Sequence, residues 1–267
     1  MTVFNDMEIE DVKKLLHKGF VEEEVKTLYE QMRLKKGNVV LIFYNSKKLL
    51  LQGKKEEVEE AVNLIKKMGA KEEKKESFRK ETGWIIGTDE SLKGDTFGGL
   101  VVAGVKANEE LRKKLNEIGV ADSKTLSDRE ILLMAEKIKQ LVPCEVKSLL
   151  PEEYNKNGEI TLMLNKLHKE CADYLFPGKH IVDKYPGCKV GDVQEEKADS
   201  KYVEVAAASV LARATALKQL DFLSVQVGFK LPKGSTHVRP ALKELKEKKL
   251  NFKRFVKVDF NNVKEFL

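Results

Sequence analysis

The sequence predicts an α/β protein, a mixed sheet flanked by helices, preceded by a small α+β module. Three observations predict it. From Trp84 onward, short apolar β-prone runs alternate with longer stretches of helical spacing. A separate helix, strand, strand, helix pattern occupies residues 1–70. Between the two, residues 71–81 (Lys-Glu-Glu-Lys-Lys-Glu-Ser-Phe-Arg-Lys-Glu) are almost wholly charged and read as a linker, which leaves 82–267 as the second domain. The 267 residues are enough to give each part its own core.

In the first module, Val12, Leu15, Leu16, Val21, Val25, Leu28 and Met32 have helical spacing and predict a helix over 11–32. Residues 39–44 and 49–52 read as strands joined at Asn45-Ser46-Lys47, and 56–68 returns to helix. Arg33, Lys35, Lys36, Lys47, Lys48, Lys54 and Lys55 precede Glu56 with no intervening acid, so one edge or hairpin is predicted to be strongly positive. Edge lysines can serve simply to prevent strand pairing. Beside Phe43 and Tyr44 they also suit nucleic acid, because aromatics stack on bases or sugars while lysines follow phosphates.

The second domain opens on Trp84-Ile85-Ile86-Gly87 and a further apolar run, 100–105, which together predict a hairpin. Between them stand Asp89, Glu90, Ser91, Lys93 and Gly94, followed by Gly98 and Gly99. Adjacent strand residues face opposite sides, so only a twist or loop lets both carboxylates serve one centre, and Asp89 is the better ligand candidate. Glycines permit close backbone approach, and Lys93 can meet a phosphate as a point charge. A helix near 111–118 comes next, then Asp122-Ser123-Lys124 and a capping box, Ser127 with Glu130, that starts a helix to about 141. A strand at 144–148 and a helix at 160–175 lead to a short strand, 180–183, that ends in Asp183. Asp183 thus shares the strand-end setting of Asp89 and is expected beside it. Asp199 precedes a helix over 202–220 containing Ala206-Ala207-Ala208-Ser209, where it can cap the helix, bind metal, or both.

If these four acids converge, their repulsion is a physical problem. Like charges about 4 Å apart cost roughly 4 kcal/mol per pair at an effective dielectric near 20. Hard oxygen ligands select Mg²⁺ or Mn²⁺ to offset it, and no His/Cys cluster favours zinc. Two such ions suit phosphodiester chemistry.

Composition sets the surroundings. The net charge of +6 suits a polyanionic partner without requiring one. Cys144, Cys171 and Cys188 are odd in number and widely spaced, which argues against a disulfide framework and suits a reducing cytoplasm. No secretory h-region or membrane-length apolar run is present, so a soluble, cytoplasmic protein without membrane partners is expected. Nothing indicates an obligate oligomer, and a monomer is expected.

These residues resemble a known family, the type 2 ribonucleases H, and within it bacterial ribonuclease HIII. The anchors are Gly87-x-Asp89-Glu90-Ser91-x-Lys93-Gly94-Asp95-x-Phe97-Gly98-x-Leu100-Val101, Asp122-Ser123-Lys124, Asp183, and Lys197-Ala198-Asp199-Ser200-Lys201 with the alanine-rich run through Arg213. The resemblance covers most of the chain. It implies a ribonuclease H-like catalytic domain that hydrolyses the RNA strand of RNA/DNA hybrids with Mg²⁺ or Mn²⁺, leaving 5′-phosphate and 3′-hydroxyl ends. It also implies that Asp89, Glu90, Asp183 and Asp199 are the metal-binding catalytic acids. Residues 1–70 resemble the TATA-binding-protein-like module with which ribonuclease HIII grips substrate, which makes Lys35, Lys36, Tyr44, Lys47 and Lys48 contact candidates. Ser91, Lys93, Gly94, Ser123 and Lys124 are candidates in the catalytic domain.

Three positions depart from the family pattern. Leu92 stands where a glycine is usual, which puts cleavage at isolated ribonucleotides in question. Gly99 replaces a usual proline and is expected to loosen the loop. Asp199 stands where ribonuclease HIII often has Glu. The alternatives are a catalytically weak hybrid-binding protein, a ribonuclease HII-like enzyme cutting at embedded ribonucleotides, and a related carboxylate-metal nuclease such as a junction resolvase. Two further features have two readings each: Arg213 can be an internal ion-pair partner, and the basic stretch 230–257, with Phe252 and Phe255, can extend the binding face or pack as a tail.

Overall fold

A computed structural model describes residues 2–4, 7–69 and 78–267, so most of the charged stretch read as a linker lies outside the described residues. The chain divides into two compact units, Met1–Lys75 and Glu76–Leu267.

The first unit contains β1 (Thr2–Phe4), α1 (Ile9–Lys13), β2 (Val21–Glu23), β3 (Glu30–Lys36), β4 (Val39–Tyr44), β5 (Leu49–Gln52) and α2 (Lys55–Lys67). Its strands form an antiparallel sheet in the order β1-β5-β4-β3-β2. Met32, Leu34, Leu41, Phe43, Leu49 and Leu51 alternate onto one face and pack with Val58, Ala61, Val62 and Ile65 of α2. The helix predicted over 11–32 is corrected. Only its start is helical, the chain turns left-handed at Gly19, and the rest supplies two strands. A continuous helix would have carried Val21, Val25 and Leu28 into the core, yet they are exposed, while Met32 and Leu34 enter with strand period.

The second unit contains β6 (Ile85–Ser91), β7 (Leu100–Ala107), α3 (Glu109–Glu117), α4 (Asp128–Leu141), β8 (Cys144–Leu149), α5 (Pro151–Tyr154), α6 (Ile160–Leu175), β9 (Lys179–Asp183), β10 (Val193–Glu195), α7 (Val203–Val227), α8 (Arg239–Glu247) and α9 (Asn261–Lys264). Its sheet runs β10-β9-β6-β7-β8, with β6, β7 and β8 antiparallel and β9 and β10 parallel to β6. Period two sorts β7 between two cores: Val101, Ala103 and Val105 face α4 and α7, while Leu100 and Val102 face α6. The predicted Ser127–Glu130 capping box begins α4. Arg213 of α7 donates to Asp128 and to the Leu126 carbonyl, each at 3.2 Å, so it is an internal partner. No described helix is long and apolar enough to cross a membrane.

Helix α7 lies directly on β6. A Cβ added to Gly87 would sit 2.4 Å from the Val205 nitrogen, and Ala206, Ala207 and Ala208 are all buried in the same contact region. Small residues on both elements therefore bring the helix close to the strand that carries Asp89. Gly87→Ala is expected to destabilise the unit by at least about 2 kcal/mol through overpacking, measured by urea denaturation; a loss under about 0.5 kcal/mol would show that the helix can move aside.

Candidate active site

Asp89 and Glu90 sit near the end of β6, and Asp183 ends β9. The last paired residues of these parallel strands are Thr88 and Val182, so Asp89 and Asp183 follow side by side. Asp89 is buried and accepts hydrogen bonds from the Ser209 hydroxyl of α7 and, at 2.8 Å, from the Glu90 backbone N–H. Burial, then the charges of Glu90 and Asp183, push the Asp89 carboxyl well above its ordinary pKa, against the Ser209 bond. Asp183 Oδ1 accepts the Ala198 N–H at 2.7 Å, which ties the 3-10 turn Ala198–Ser200, and with it Asp199, to the end of β9.

Glu90 points to the other side of the sheet, as period two requires. Its Oε1 accepts from Lys93 Nζ at 2.8 Å, and Oε2 lies 3.4 Å from His168 Nε2. Burial works to raise this carboxyl, but His168 and Lys93 outweigh burial and hold it below its ordinary value. Asp89 and Asp183 are neighbours and the turn bearing Asp199 is tied to Asp183, but among the described residues no three His, Cys, Asp or Glu side chains already surround a metal position.

The other predicted residues scatter more. Ser91 ends β6, and Lys93 is committed to Glu90, with its ammonium 5.3 Å from the Tyr185 ring centre. Gly94 is exposed, and a Cβ there would meet nothing within 4 Å. Ser123 is half-buried in the 3-10 turn Val120–Thr125, whereas the Lys124 side chain lies outside the described residues. In the first unit Lys35 and Lys36 lie at one end of β4, and Tyr44, Lys47 and Lys48 at the other. The single positive edge or hairpin is thus corrected to two separated groups. Lys35 pairs with Glu23 at 3.5 Å, Lys36 donates to the Lys18 carbonyl at 2.9 Å, and Lys47 pairs with Glu8 at 2.7 Å.

Two departures in the loop between β6 and β7 prove structural. Leu92 adopts φ +67° and buries its side chain in the core with Phe97 and Leu220. The left-handed backbone is kept at a cost of about 1–2 kcal/mol, and the side chain is turned away from solvent. Gly99 does not loosen the loop. Its N–H donates to Gln219 Oε1 at 2.7 Å, and a Cβ there would lie 2.1 Å from the Leu149 oxygen. Gln219 is held in turn by donating to Ser148 Oγ at 2.9 Å and the Leu149 carbonyl at 3.0 Å. Proline would remove the donor.

The C-terminal stretch packs as a tail and braces this loop. Phe97 bridges Val256, Gly98 N–H donates to the Phe255 carbonyl at 3.0 Å, and Lys257 Nζ donates to the carbonyls of Asp95 at 2.5 Å and Gly98 at 3.1 Å. Lys257 is fully buried between the Tyr154 and Phe260 rings. Sequence reasoning missed Lys257, Gln219, Ser209 and His168. Only His168 left a local signal, a titratable residue in register with the apolar Leu164, Leu167 and Cys171 of its helix.

A family model described as Ribonuclease HII matches residues 86–263. Ribonuclease HIII of Aquifex aeolicus is 32% identical, with the match covering 92% of this chain and 93% of that protein. The chain belongs to the ribonuclease HIII family. The solved structure of Bst-RNase HIII, in complex with Mn²⁺, has a TM-score of 0.62 and 27% identity over 99% of this chain and 97% of that one. The Aquifex aeolicus RNase H3 structure has a TM-score of 0.59 and 29% identity over 97% of this chain and all of that one. Like other ribonucleases HIII, the protein is a hydrolytic nuclease with ribonuclease H activity.

The brace predicts a pH signature. Burial lowers the Lys257 pKa to about 7, with Asp95 and Asp259 opposing the shift. An unfolded lysine titrates near pH 10.4, so between about pH 7 and 10 the unfolded chain binds more protons and stability rises with pH. In urea denaturation, wild type should gain stability relative to Lys257→Met between pH 7 and pH 9.5. A constant difference would mean that Lys257 titrates normally.

Proposed function

We propose that Asp89, Glu90, Asp183 and Asp199 form the site at which this ribonuclease H cuts the RNA strand of RNA/DNA hybrids, with two Mg²⁺ or Mn²⁺ ions as cofactors. The observation that carries the reading is the buried Asp89 beside Asp183 at the ends of neighbouring strands, where burial, and after it the charges of Glu90 and Asp183, push the Asp89 carboxyl upward. Such an arrangement fits a cation, and the all-oxygen donor set fits a hard one. Glu90 Oε2 is buried 3.4 Å from His168 Nε2 with no hydrogen-bond partner among the described residues, which leaves it lone pairs for a cation. The Mn²⁺ held by Bst-RNase HIII is consistent with this assignment. Divalent ions bound there supply Lewis acidity toward the phosphodiester.

The chain's own groups orient the reaction. Ser209 and the Glu90 N–H fix Asp89, the Ala198 N–H fixes Asp183, and the turn tied to Asp183 presents Asp199. Gly94 offers open backbone beside these acids, where a sugar-phosphate strand can approach closely. With Leu92 turned into the core, this approach stays open, and cleavage at an embedded ribonucleotide becomes a reading to test directly. The first unit would serve as the substrate-binding domain. The sheet face turned away from α2 carries Lys35, Val40, Ile42, Tyr44 and Leu50, a mixture suited to a hybrid's minor groove, where shape and 2′-hydroxyls are read.

End-labelled RNA/DNA hybrid, duplex DNA and DNA with one ribonucleotide, each with Mg²⁺, Mn²⁺ or chelator, test the proposal. The expected result is metal-dependent cutting of the hybrid's RNA strand, abolished in Asp89→Asn without loss of fold or hybrid affinity. Near-normal turnover by Asp89→Asn would remove the acid from the mechanism. Replacing Lys35, Lys36, Lys47 and Lys48 by Ala should weaken hybrid binding and flatten its salt dependence; an unchanged salt slope would assign those lysines to solubility alone.

A further inference from the structure

We infer that Thr88, His168 and His180 form a positioning chain that fixes the orientation of Glu90; this rests on the role proposed above for Glu90. Thr88 and Glu90 are two residues apart on β6 and so face the same side, toward α6. Thr88 Oγ1 lies 2.8 Å from His168 Nδ1 and 2.9 Å from His180 Nε2. Thr88 and His168 have no solvent exposure, and His180 is buried at the edge of the same cluster.

At the far end, His168 Nε2 and Glu90 Oε2 face each other at 3.4 Å, and neither has a hydrogen-bond partner among the described residues. A lone pair on Nε2 would repel the carboxylate, so that nitrogen carries its hydrogen. Thr88 Oγ1 joins the other nitrogen of that ring, Nδ1, to His180 Nε2, so one hydroxyl on β6 anchors both imidazoles. Burial lowers the His180 pKa to about 4, in keeping with a neutral ring at working pH. The anchored His168 ring thus turns its Nε2 edge toward Glu90.

The chain has supports on both sides. The Tyr185 ring packs on His168 with centroids 5.2 Å apart, and its hydroxyl donates to Asn165 Oδ1 at 3.1 Å. The His180 backbone N–H donates to Asp192 Oδ2 at 2.7 Å, which pins the strand behind it. Lys93 holds the other Glu90 oxygen, so each carboxylate oxygen has its own directing group. Burying a hydroxyl and two imidazoles between sheet and helix is costly relative to apolar side chains. Their common end at Glu90 gives that burial a use.

The test compares Thr88→Val, which keeps shape but removes the hydroxyl, with Thr88→Ser, which keeps the hydroxyl. Each is measured by hybrid-cleavage kinetics and by calorimetric titration with Mg²⁺ in the absence of substrate. The expected result for Thr88→Val is a loss of about tenfold or more in kcat and in Mg²⁺ affinity, the scale typical of groups that orient metal ligands. KM for the hybrid should stay within twofold, and Thr88→Ser should recover most of both losses. His168→Gln carries the same expectation for kcat and Mg²⁺ affinity and serves if Thr88→Val does not fold. Normal kcat and Mg²⁺ affinity in the folded Thr88→Val or His168→Gln protein, or no recovery in Thr88→Ser, would overturn the positioning chain. Glu90→Gln, run in parallel, separates the two ideas: near-normal turnover there would overturn the role of Glu90 itself. An inactive Glu90→Gln beside an unaffected Thr88→Val would overturn the chain alone.

Discussion

The contact of α7 with β6 is the constraint on which the rest of the second unit depends. Gly87 leaves no side chain between them, and the alanine run of α7 lets the helix lie close to the strand. That closeness brings Ser209 to Asp89 and fixes where the helix begins. The turn before the helix must then reach the end of β9, where Ala198 meets Asp183. Strand pairing sets Asp183 beside Asp89, the α7 contact adds Ser209 and the turn bearing Asp199, and the helix continues to Gln219, which holds the loop between β6 and β7 at Gly99. Local stability and site geometry share a single element.

The site concentrates negative charge inside the fold, and the two faces of the sheet handle it differently. On the α7 side Asp89 accepts hydrogen bonds from Ser209 and the Glu90 backbone, yet burial and the neighbouring carboxylates drive its carboxyl upward. On the α6 side Glu90 has a lysine and an imidazole, and it is held in the charged form. Adjacent residues of one strand therefore have opposite electrostatic settings, with the raised carboxyl on the face shared with Asp183. A cation bound there would relieve repulsion that the protein itself leaves in place.

Much of this was legible in sequence because local signals and tertiary demands agreed. The capping box at Ser127 and Glu130, the helix over Ile160–Leu175 and the strand ending in Asp183 all formed where spacing put them. The failure over residues 11–32 has a definite cause: apolar residues at helical spacing can also be loop and edge-strand residues when a left-handed turn at Gly19 intervenes. The positive edge failed differently. Residues close in sequence were separated by the length of β4, which no charge count reveals. Lys257 was illegible for a third reason, because a lysine in a basic tail reads as solvated until its burial between two rings is seen.

The departures at Leu92 and Gly99 show why a motif's chemistry and its backbone have to be read separately. Leucine at a left-handed position looks like the loss of a glycine's function. The strain it introduces is local, however, and its burial with Phe97 and Leu220 offsets that strain with apolar contact. At 99 the replacement acts in the opposite sense. An N–H that proline lacks is captured by Gln219, and the site is too tight for any side chain. The loop carrying Lys93 and Gly94 thus reaches its conformation by contacts from Leu92, Gln219 and Lys257, three buried side chains. Gly94 can then stay exposed and without a side chain, because the support of the loop is supplied from beneath.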